Sequence, residues 1–439
     1  MDSWGKLIKI TFTDDGEVLY SGRMIETAGY KKCLENQKLM PSITLGPVHP
    51  NDWTMEEYMH LGLFDNTNVI LWRLGPEDPK NATYIATTDY PVVHKIDPES
   101  LAVTGKHWWI SATNGISLMT ASHWRREVGT DNSLAFHMML NPLSPMHPVF
   151  VLYRFGNTIE EHEEISRFDV DFASYIHMMS NTPRYAVVIL YPITMNLMSL
   201  PQHNLHPLET LEKVDAPCRI KLVNLVDGSI ISFETEDPRL IFATHIGNSW
   251  EEGNDEVVFD LSTNPWDVLA IYFDRDRMLN HPETEDEIAE QVFKRVRLVI
   301  STGEVIVEDF PYDGDLPWMN TFDFPTINDK YSGYKNRYTY GWITIDYWRQ
   351  TLIKRDSEDK NGDKFWFKPS HYPGEMYFVP NPVGTEEDDG VLITLVFNGE
   401  IEQSYILLLD AKTFEEINYA YLPYNIPFSF HGKWFPELK

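Results

Sequence analysis

The sequence predicts an all-β protein, and a β-propeller is the architecture that it favours. Short runs of β-branched and aromatic residues, broken by Gly, Pro, Asn and Asp, extend along most of the 439 residues, and no long stretch has helical periodicity. Hairpins repeated over about 400 residues must hide their strand edges, and a propeller does so by radial repetition of four-stranded blades. The irregular spacing of the hairpins excludes a strict-period array and predicts long insertions between strands.

Individual hairpins are recognised by an apolar strand, a turn built on Asp, Gly or Ser-Thr, and a second strand. The clearest signal is the apolar run 391–397 followed by Asn398 and Gly399, which predicts a type I′ hairpin. The same strand-and-turn unit recurs at residues 92–97, 220–228, 296–303 and 405–410.

Acidic runs are predicted to be solvated loops or turns rather than metal sites. A calcium loop with Gly362 at its sixth position would begin at Ser357 and end at Lys368, and neither of these residues is a carboxylate. We therefore expect no calcium there. The runs interpreted in this way are 282–291, which could form a short helix, 356–364 and 386–390.

Composition limits the kinds of partner that the protein can bind and the cellular compartment that it suits. The chain has 36 basic and 66 acidic residues, and its formal charge of −30 opposes binding to nucleic acid and to strongly anionic membranes. Only Cys33 and Cys218 are present, without a Cys-x-x-Cys pair, which favours a reducing compartment. We expect a cytoplasmic protein. The apolar run 195–201 is either ordinary core or a peripheral contact with a membrane.

Motifs spread along the chain carry a family resemblance. The most specific ones lie near the C-terminus, at 372–375, 378–380, 386–390, 409–413 and 427–432, and others lie at 174–185, 242–252, 322–328 and 337–341. Together they resemble the carotenoid cleavage oxygenase family, over a match from Leu7 to Phe435. The segment 191–198 is similar to the corresponding segment of animal-type members.

The resemblance implies a seven-bladed propeller with a ferrous ion, Fe(2+), on its axis and a cap of long loops over the substrate. Family members bind the iron with four histidines, three of which are held in place by glutamates. Three positions match directly: His177 in Ser-Tyr-Ile-His, His245 in Phe-x-x-His-Ile and His431 in Phe-His-Gly. Most of the 15 histidines have simpler roles at the surface or in hydrogen bonds.

The remaining iron ligand is displaced by one position. Family members have Thr-Ala-His where this chain has Thr120, Ala121 and Ser122, and His123 follows. One residue of offset reverses the face of a side chain within a strand. His123 therefore needs a bulge or a local shift to reach the metal, and His137 is the alternative ligand.

Three carboxylates are expected to orient the histidines. Asp89 and Asp323 stand where the family has glutamate, and Glu375 keeps the glutamate. A histidine that binds a metal needs an acceptor for its other ring nitrogen, which fixes the tautomer and the ring orientation. Each aspartate is one methylene shorter than glutamate, so a water or a small backbone shift would have to complete its contact.

We expect residues 1–439 to form a single propeller domain that lacks the usual N-terminal portion of the family. That portion contains an aromatic and glycine-rich segment ending in Asp-Gly-Asp-Gly, ahead of the region that matches Leu7. Two explanations stay open. Either the chain is a fragment or partial gene product, or the propeller closes differently and is weakened or inactive.

The resemblance implies an oxidoreductase, an iron(II)-dependent dioxygenase that inserts both oxygen atoms across one conjugated double bond of a carotenoid or apocarotenoid. Two carbonyl products result, and no protein nucleophile or acid is needed beyond the iron centre. The 23 Phe, 22 Tyr and 13 Trp suit an apolar tunnel for a polyene substrate. The alternatives are a retinoid isomerohydrolase with the same iron site and a non-catalytic propeller that binds apocarotenoids.

Overall fold

The computed structural model describes the following residues: 4–39, 54, 56, 65–108, 110–111, 115–141, 144–196, 199, 207–266, 269, 292–310, 321–346, 349–359, 361–426 and 431–438. In these ranges β-strands dominate the regular structure, which confirms the all-β prediction. No helix among them is long and apolar enough to cross a bilayer. The acidic run 282–291 and most of the apolar run 195–201 lie outside the described residues.

Six sheets of four or more antiparallel strands follow one another along the described part of the chain, and we number them as blades 1 to 6. Blade 1 contains β3 (Ile70–Leu74), β4 (Thr83–Thr87), β5 (Val92–Ile96) and β6 (Val103–Trp108). Blade 2 contains β7 (Ile110–Ser111), β8 (Gly115–Thr120), β9 (Arg125–Arg126), β10 (Ser133–Asn141), β11 (Ser144–Phe155) and β12 (His162–Asp169). Blade 3 contains β13 (Ser180–Asn181), β14 (Tyr185–Leu190), β17 (Cys218–Asn224) and β18 (Ile230–Thr235).

The second half of the described chain continues the same pattern. Blade 4 contains β19 (Phe242–Glu252), β20 (Glu256–Asn264), β21 (Val292–Val299) and β22 (Glu304–Asp309). Blade 5 contains β23 (Asp323–Thr326), β24 (Tyr338–Asp346), β25 (Arg349–Asp356) and β26 (Lys364–Trp366). Blade 6 contains β27 (His371–Pro373), β28 (Tyr377–Pro380), β29 (Gly390–Asn398), β30 (Gln403–Asp410) and β31 (Glu416–Tyr421). A small separate sheet pairs β15 (Ile193–Met195) with β16 (Leu211–Lys213).

Helices are few and short in the described residues. The helix α1 (Ala28–Asn36) begins after Thr27, whose side chain accepts a hydrogen bond from the Tyr30 N–H, and ends at Gln37 in the left-handed conformation. Asp65 accepts hydrogen bonds from the N–H groups of Ala28 and Gly29 at the start of α1. A negative charge at this end is stabilised by the positive end of the helix dipole. The described 3₁₀ helices are Pro207–Thr210, Pro238–Leu240 and Asp329–Tyr331.

Contacts between neighbouring sheets arrange them as the blades of a propeller. Strand β14 of blade 3 is buried at every residue and β20 of blade 4 at all but its first, as expected for sheets that pack against a neighbour on both faces. Hydrogen bonds join neighbouring blades. Trp72 Nε1 of blade 1 donates to Ser133 Oγ of blade 2 at 3.0 Å, and Asn181 Nδ2 of blade 3 donates to Arg126 O of blade 2 at 3.2 Å. Ser180 Oγ of blade 3 lies 2.8 Å from Ser249 Oγ of blade 4, and Thr326 Oγ1 of blade 5 donates to Met376 O of blade 6 at 2.9 Å.

The C-terminal tail, residues 431–438, brings the end of the chain back to blade 1. Glu437 Oε1 accepts hydrogen bonds from Arg73 Nη1 and from the Tyr84 hydroxyl, both at 2.8 Å. The ring of Phe435 packs edge-on against Tyr84, with the ring centroids 5.4 Å apart. The tail therefore links blade 1 to the far end of the sequence and closes the ring of blades.

The propeller prediction is confirmed, but the number of blades differs from the expected seven. Between blades 6 and 1 the described residues contain only a two-stranded hairpin, β1 (Lys6–Phe12) and β2 (Val18–Met24). Its apolar side chains, among them Ile8, pack against Ile406 of blade 6, and Ile25 packs against Tyr84 of blade 1. Two strands are fewer than the four of a propeller blade, so the ring as the described residues show it has six full blades and one hairpin.

The hairpin predicted near the C-terminus is present with a longer turn. Strands β29 and β30 pair up to Asn398 and Gln403, so the turn has four residues rather than the two of a type I′ turn. Asn398 stays in the ladder, and its side chain accepts the Glu400 N–H at 3.0 Å. The Gly399 N–H donates to Ser370 O at 2.7 Å, which draws the turn toward the start of blade 6.

The acidic runs that the structure describes form turns, as predicted, but neither is fully solvated: Asp356, which pairs with Arg337 at 2.7 Å, is 4% exposed. Asp356 ends β25 and accepts the N–H groups of Glu358 and Asp359, so the run 356–364 makes its own turn. In the run 386–390 the prediction of full solvation is wrong for Asp388, which is 5% exposed. Its carboxylate pairs with the buried Lys354 ammonium at 2.6 Å, and this pairing explains how the charge is tolerated.

Candidate metal centre

Four histidines that are far apart in the sequence meet at the centre of the propeller. They are His123, His177, His245 and His431, and each offers a ring nitrogen within 4.8 Å of the others. The Nε2 atoms of His123 and His177 lie 3.1 Å apart. The ring of His123 also lies edge-on to His431, with centroids 4.4 Å apart. These are the four residues that the sequence analysis selected.

Each histidine comes from a different part of the ring. His123 lies between β8 and β9 of blade 2, and His177 precedes β13 of blade 3. His245 lies in β19 of blade 4, where the pairing with β20 shifts between Ala243 and Ile246. His431 follows blade 6, in the tail that returns to blade 1. The blades converge on the propeller axis, so residues at their inner ends meet although long insertions separate them in sequence.

The displaced histidine, His123, reaches the cluster because it does not lie in a strand. Strand β8 ends at Thr120, and His123 makes only an isolated parallel bridge with Met178. The alternation of faces within a strand therefore does not apply to it. The alternative, His137, lies in β10 outside the cluster, and its Nδ1 is 3.0 Å from Ser117 Oγ. The local shift that His123 needs in order to reach the cluster is thus supplied by the break between β8 and β9.

Asp89 contacts three side chains around the second histidine. Its carboxylate lies 3.0 Å and 3.2 Å from His177 Nδ1 and accepts a hydrogen bond from the Tyr175 hydroxyl at 3.1 Å. The Ser122 hydroxyl also donates to Asp89. Ser122 occupies the position where the family has histidine, and in this protein its side chain holds the Asp89 carboxylate. Asp89 reaches the ring directly, without a bridging water.

Asp323 makes the shortest of the histidine–carboxylate contacts. Its Oδ1 lies 2.6 Å from His245 Nδ1, and Oδ2 accepts a hydrogen bond from Thr244 Oγ1 at 3.2 Å. Thr244 in turn accepts a hydrogen bond from Asn264 Nδ2 at 3.0 Å. The shorter aspartate side chain is therefore sufficient, because Asp323 is the first residue of β23 and faces β19 directly.

Glu375 lies behind the C-terminal histidine. Its carboxylate oxygens lie 3.5 Å and 3.4 Å from His431 Nδ1, and Oε2 accepts the Gly432 N–H at 3.1 Å. Glu375 follows β27 of blade 6, so the last blade holds the returning tail at the metal centre. Among the described residues, carboxylates contact Nδ1 of three of the four histidines, as the resemblance implied.

Two residues of the site have left-handed backbones although neither is glycine. His431 has φ of +50° and Phe324 has φ of +52°. The Phe324 ring packs against His245 and His431, with centroids 5.1 Å and 5.4 Å away. Such conformations cost about 1–3 kcal/mol each and persist where the surrounding structure imposes them, often at functional sites. The sequence analysis did not single out Phe324.

Burial and the neighbouring charges set the pKa values of the imidazoles. Burial holds the pKa of His123 well below its usual value, and the nearby rings of His431, His177 and His245 lower it further. Burial also lowers the pKa of His431, against the opposing effect of Glu375. Burial opposes protonation of His177, but Asp89 outweighs it and raises the pKa of that ring.

The donor set fits a divalent transition metal. When a carboxylate accepts from Nδ1–H, the lone pair of the ring lies on Nε2, which then faces the centre of the cluster. His245 Nε2 is buried and has no hydrogen-bond partner in the described structure. An unpaired buried polar atom costs about 1–3 kcal/mol, and a cation between the four rings would supply the missing partner. Four neutral imidazoles suit Zn, Cu, Fe or Ni.

An apolar cavity of about 370 Å³ lies beside this cluster. It is lined by β1, blades 1 and 6 and the tail, and Glu375 and His431 form part of its wall. Aliphatic and aromatic side chains such as Leu7, Leu395 and Trp434 line most of the remainder. A cavity of this size falls within the usual range for small-molecule sites, which are mostly apolar with a few polar groups.

Some supporting residues were missed by the sequence analysis. Tyr175 could have been found, because it precedes His177 by two residues and so shares its side in an extended segment. Ser122 and Thr244 could not, since a serine or threonine next to a histidine has no distinctive pattern. Their roles depend on which segments the fold brings together.

These features define a β-propeller with a central four-histidine site that can bind a metal. The family model of the retinal pigment epithelial membrane protein matches residues 1–436. The chain therefore belongs to this family, which is the carotenoid oxygenase family. The curated proteins that it resembles are oxidoreductases of the dioxygenase type.

Individual relatives are distant but extend over most of the chain. A carotenoid dioxygenase of Neurospora crassa is 28% identical over 408 residues, which are 82% of this chain and 63% of that protein. The chloroplastic carotenoid cleavage dioxygenase 8 homolog A of rice, Oryza sativa, is 27% identical over 457 residues, covering 100% of this chain and 79% of the rice protein. The chain thus spans less than two thirds of the Neurospora protein.

A solved structure has the same fold. A variant of the Synechocystis apocarotenoid oxygenase superposes with a TM-score of 0.77 and 21% identity, covering 99% of this chain and 87% of that chain. This likeness supports the propeller architecture along nearly the whole chain. The assignment to an animal-type subgroup stays a prediction.

Proposed function

We propose that the protein is an iron(II)-dependent dioxygenase that cleaves a conjugated double bond of a carotenoid or apocarotenoid to two carbonyl products. The observation that carries this proposal is the convergence of four imidazoles whose Nδ1 sides face carboxylates in three cases. The names of the Neurospora and rice relatives support the reaction class.

The proposed iron ligands are His123, His177, His245 and His431. Four neutral nitrogen ligands leave the dication its full charge and leave coordination positions open. When bound, the ferrous ion would supply the binding and activation of dioxygen next to the substrate double bond. In this proposal no other side chain acts as nucleophile or general acid.

The three carboxylates act through the histidines in this proposal. Asp89, Asp323 and Glu375 hold the Nδ1 protons of His177, His245 and His431, which keeps each Nε2 lone pair directed at the centre. His123 has no carboxylate behind it among the described contacts, so its aim depends on the backbone on either side of it.

An apolar substrate is supported by the surroundings of the site. The cavity beside Glu375 and His431 has mostly aliphatic and aromatic walls. A polyene would be held there by burial of apolar surface. We further propose a single propeller domain in a cytoplasmic protein that takes its substrate from a membrane surface by peripheral contact.

Iron content is the first test of this proposal. Purified protein is loaded with ferrous iron without oxygen, and bound iron is measured by elemental analysis. We expect about one iron per chain in the wild type and a large loss in His177→Ala, since one of the four ligands is missing. The matched control is His162→Ala, because His162 is an exposed histidine of β12 outside the cluster.

Product analysis then separates the enzyme hypotheses. Apocarotenals and carotenoids are incubated under ¹⁸O₂, and the proposed reaction puts one labelled oxygen in each of two carbonyl products. Conversion of a retinyl ester without uptake of oxygen would point instead to an isomerohydrolase. Absence of iron after anaerobic loading would overturn both and leave a non-catalytic propeller that binds apocarotenoids.

A further inference from the structure

One guanidinium joins three of the segments that carry the metal-site histidines. Arg125 lies in β9, two residues after His123. Its Nε donates to Met179 O at 3.0 Å, and its Nη2 donates to Ile246 O at 2.8 Å. Met179 follows His177 by two residues and Ile246 follows His245 by one, so blades 2, 3 and 4 meet at this side chain.

Beside the histidines themselves the other contacts between these segments are weak, and the hydrogen bond between Ser180 Oγ and Ser249 Oγ lies three residues after His177 and four after His245. His123 and Met178 share a single isolated bridge, and the Ile246 N–H donates to the sulfur of Met178 at 3.2 Å. A thioether is a weak acceptor, whereas an arginine presents several N–H donors in one rigid plane. The hydrogen bonds of Arg125 are also charge-assisted, which makes them stronger than bonds between neutral groups.

The positive charge of Arg125 close to the metal site indicates that its role is geometric. An arginine guanidinium is protonated at neutral pH. A fixed positive charge close to a site for a dication is unfavourable by Coulomb repulsion. The charge itself does not favour metal binding, and the contribution of Arg125 to the site is the pair of carbonyls that its side chain holds.

We infer that Arg125 is a positioning residue that sets the placement of His123, His177 and His245 relative to one another. This inference rests on the proposed metal site. The two hydrogen bonds fix the distance from β9 to the backbone beside His177 and beside His245. A displacement of either segment would move an Nε2 atom away from the common centre.

The test compares two adjacent arginines of the same strand. Arg126 also donates to main-chain carbonyls, those of Arg73 at 3.0 Å and of Asp131, and neither acceptor lies beside a site histidine. Arg125→Met removes the bonds that hold the histidine segments, and Arg126→Met is the matched control. Arg125→Lys keeps the charge but can reach only one carbonyl, and it serves if the methionine variant fails to fold.

Metal affinity is measured by titration with cobalt(II), followed through its visible absorption. We expect Arg125→Met to weaken binding about 10- to 100-fold, as is typical for the loss of a residue that orients metal ligands. Arg125→Lys should fall between this variant and the wild type, and Arg126→Met should stay within about twofold of the wild type. Binding by Arg125→Met as tight as in the wild type would overturn the inference.

A metal-free readout separates this inference from the proposed function. Hydrogen exchange of the apo protein is compared over residues 174–181 and 242–252. We expect faster exchange in both segments for Arg125→Met and unchanged exchange for Arg126→Met. If the wild type binds neither cobalt nor iron, the proposed function fails, and the inference is then judged on exchange alone. Equal exchange in both variants would overturn it.

Discussion

His245 Nδ1 lies 2.6 Å from Asp323 Oδ1, although the two residues belong to different blades and are 78 positions apart in sequence. Burial raises the pKa of Asp323, but His245 and the other donors around it outweigh this effect and lower the pKa. Asp323 is thus ionised and accepts the ring N–H, and the lone pair of His245 is left on Nε2. The carboxylate decides which nitrogen faces the metal site.

Replacing Asp323 with asparagine should disturb this arrangement while keeping its size. The neutral amide accepts the ring proton less strongly, and its NH₂ group can face Nδ1 and stabilise the wrong tautomer. We expect metal affinity to fall about 10- to 100-fold. The measurement is the cobalt(II) titration, with the exposed Asp309→Asn as control. Unchanged affinity in Asp323→Asn would mean that the carboxylate does not set the tautomer.

Exchanging residues 122 and 123 tests which side chain faces the metal. The double variant Ser122→His with His123→Ser restores the family order of the two residues. In this structure Ser122 faces Asp89, so a histidine at that position would point at the carboxylate and not at the cluster. We expect the double variant to lose bound iron as fully as His123→Ala does. Retention of one iron per chain would show that the backbone repositions around the new histidine.

The Tyr175 hydroxyl should contribute to the placement of His177 through Asp89. Tyr175→Phe removes one donor to the carboxylate and leaves the ring, which packs against Phe242 with centroids 5.8 Å apart. We expect a loss of about 1 kcal/mol in unfolding free energy, the usual net value of a buried hydrogen bond, and a few-fold loss of metal affinity. Chemical denaturation and metal titration measure the two effects. Tyr153→Phe is a control with a hydroxyl away from the site.

Removing the metal should lower stability, because the four ligands come from separate parts of the ring. A ligand that binds only the folded state stabilises it by about 2.7 kcal/mol when its concentration is 100 times the dissociation constant. We expect the midpoint of thermal unfolding to fall on chelation and to recover on anaerobic addition of ferrous iron. His177→Ala should show neither change. An identical midpoint with and without metal would argue against a site that spans several blades.

The pair Arg73 and Glu437 should support both ring closure and the metal site. Their side chains are 12% and 5% exposed, and Arg73 also pairs with the exposed Glu77 at 3.2 Å, so loss of Glu437 should cost less than the about 3–5 kcal/mol typical of a buried charge left without a partner. Because the same tail carries His431, Glu437→Gln should lower the unfolding free energy and weaken metal binding together. The control is Glu386→Gln, which breaks an exposed pair with Lys412. A stability loss without any change in metal affinity would uncouple the tail from the site.

Local patterns were enough to predict the strands and most of the turns. The unit at 92–97 is β5 with its following turn, and the unit at 220–228 spans the end of β17 and the turn before β18. These predictions succeeded because strand propensity and turn chemistry depend on neighbours in sequence. The predicted length of the turn after Asn398 was wrong, because a hydrogen bond from Gly399 to the distant Ser370 competes with the local preference of Asn-Gly for a two-residue turn.

By itself the sequence determined the all-β class, and, through the family motifs, which four histidines and three carboxylates to consider. Only the tertiary structure decided that His123 rather than His137 joins the cluster, that Ser122 supports Asp89, and that Arg125 spans three blades. It also decided that a hairpin stands in place of a seventh blade. The physical reason is the same in each case: strand and turn signals are local, whereas the direction of a side chain between strands depends on the segments that packing brings beside it.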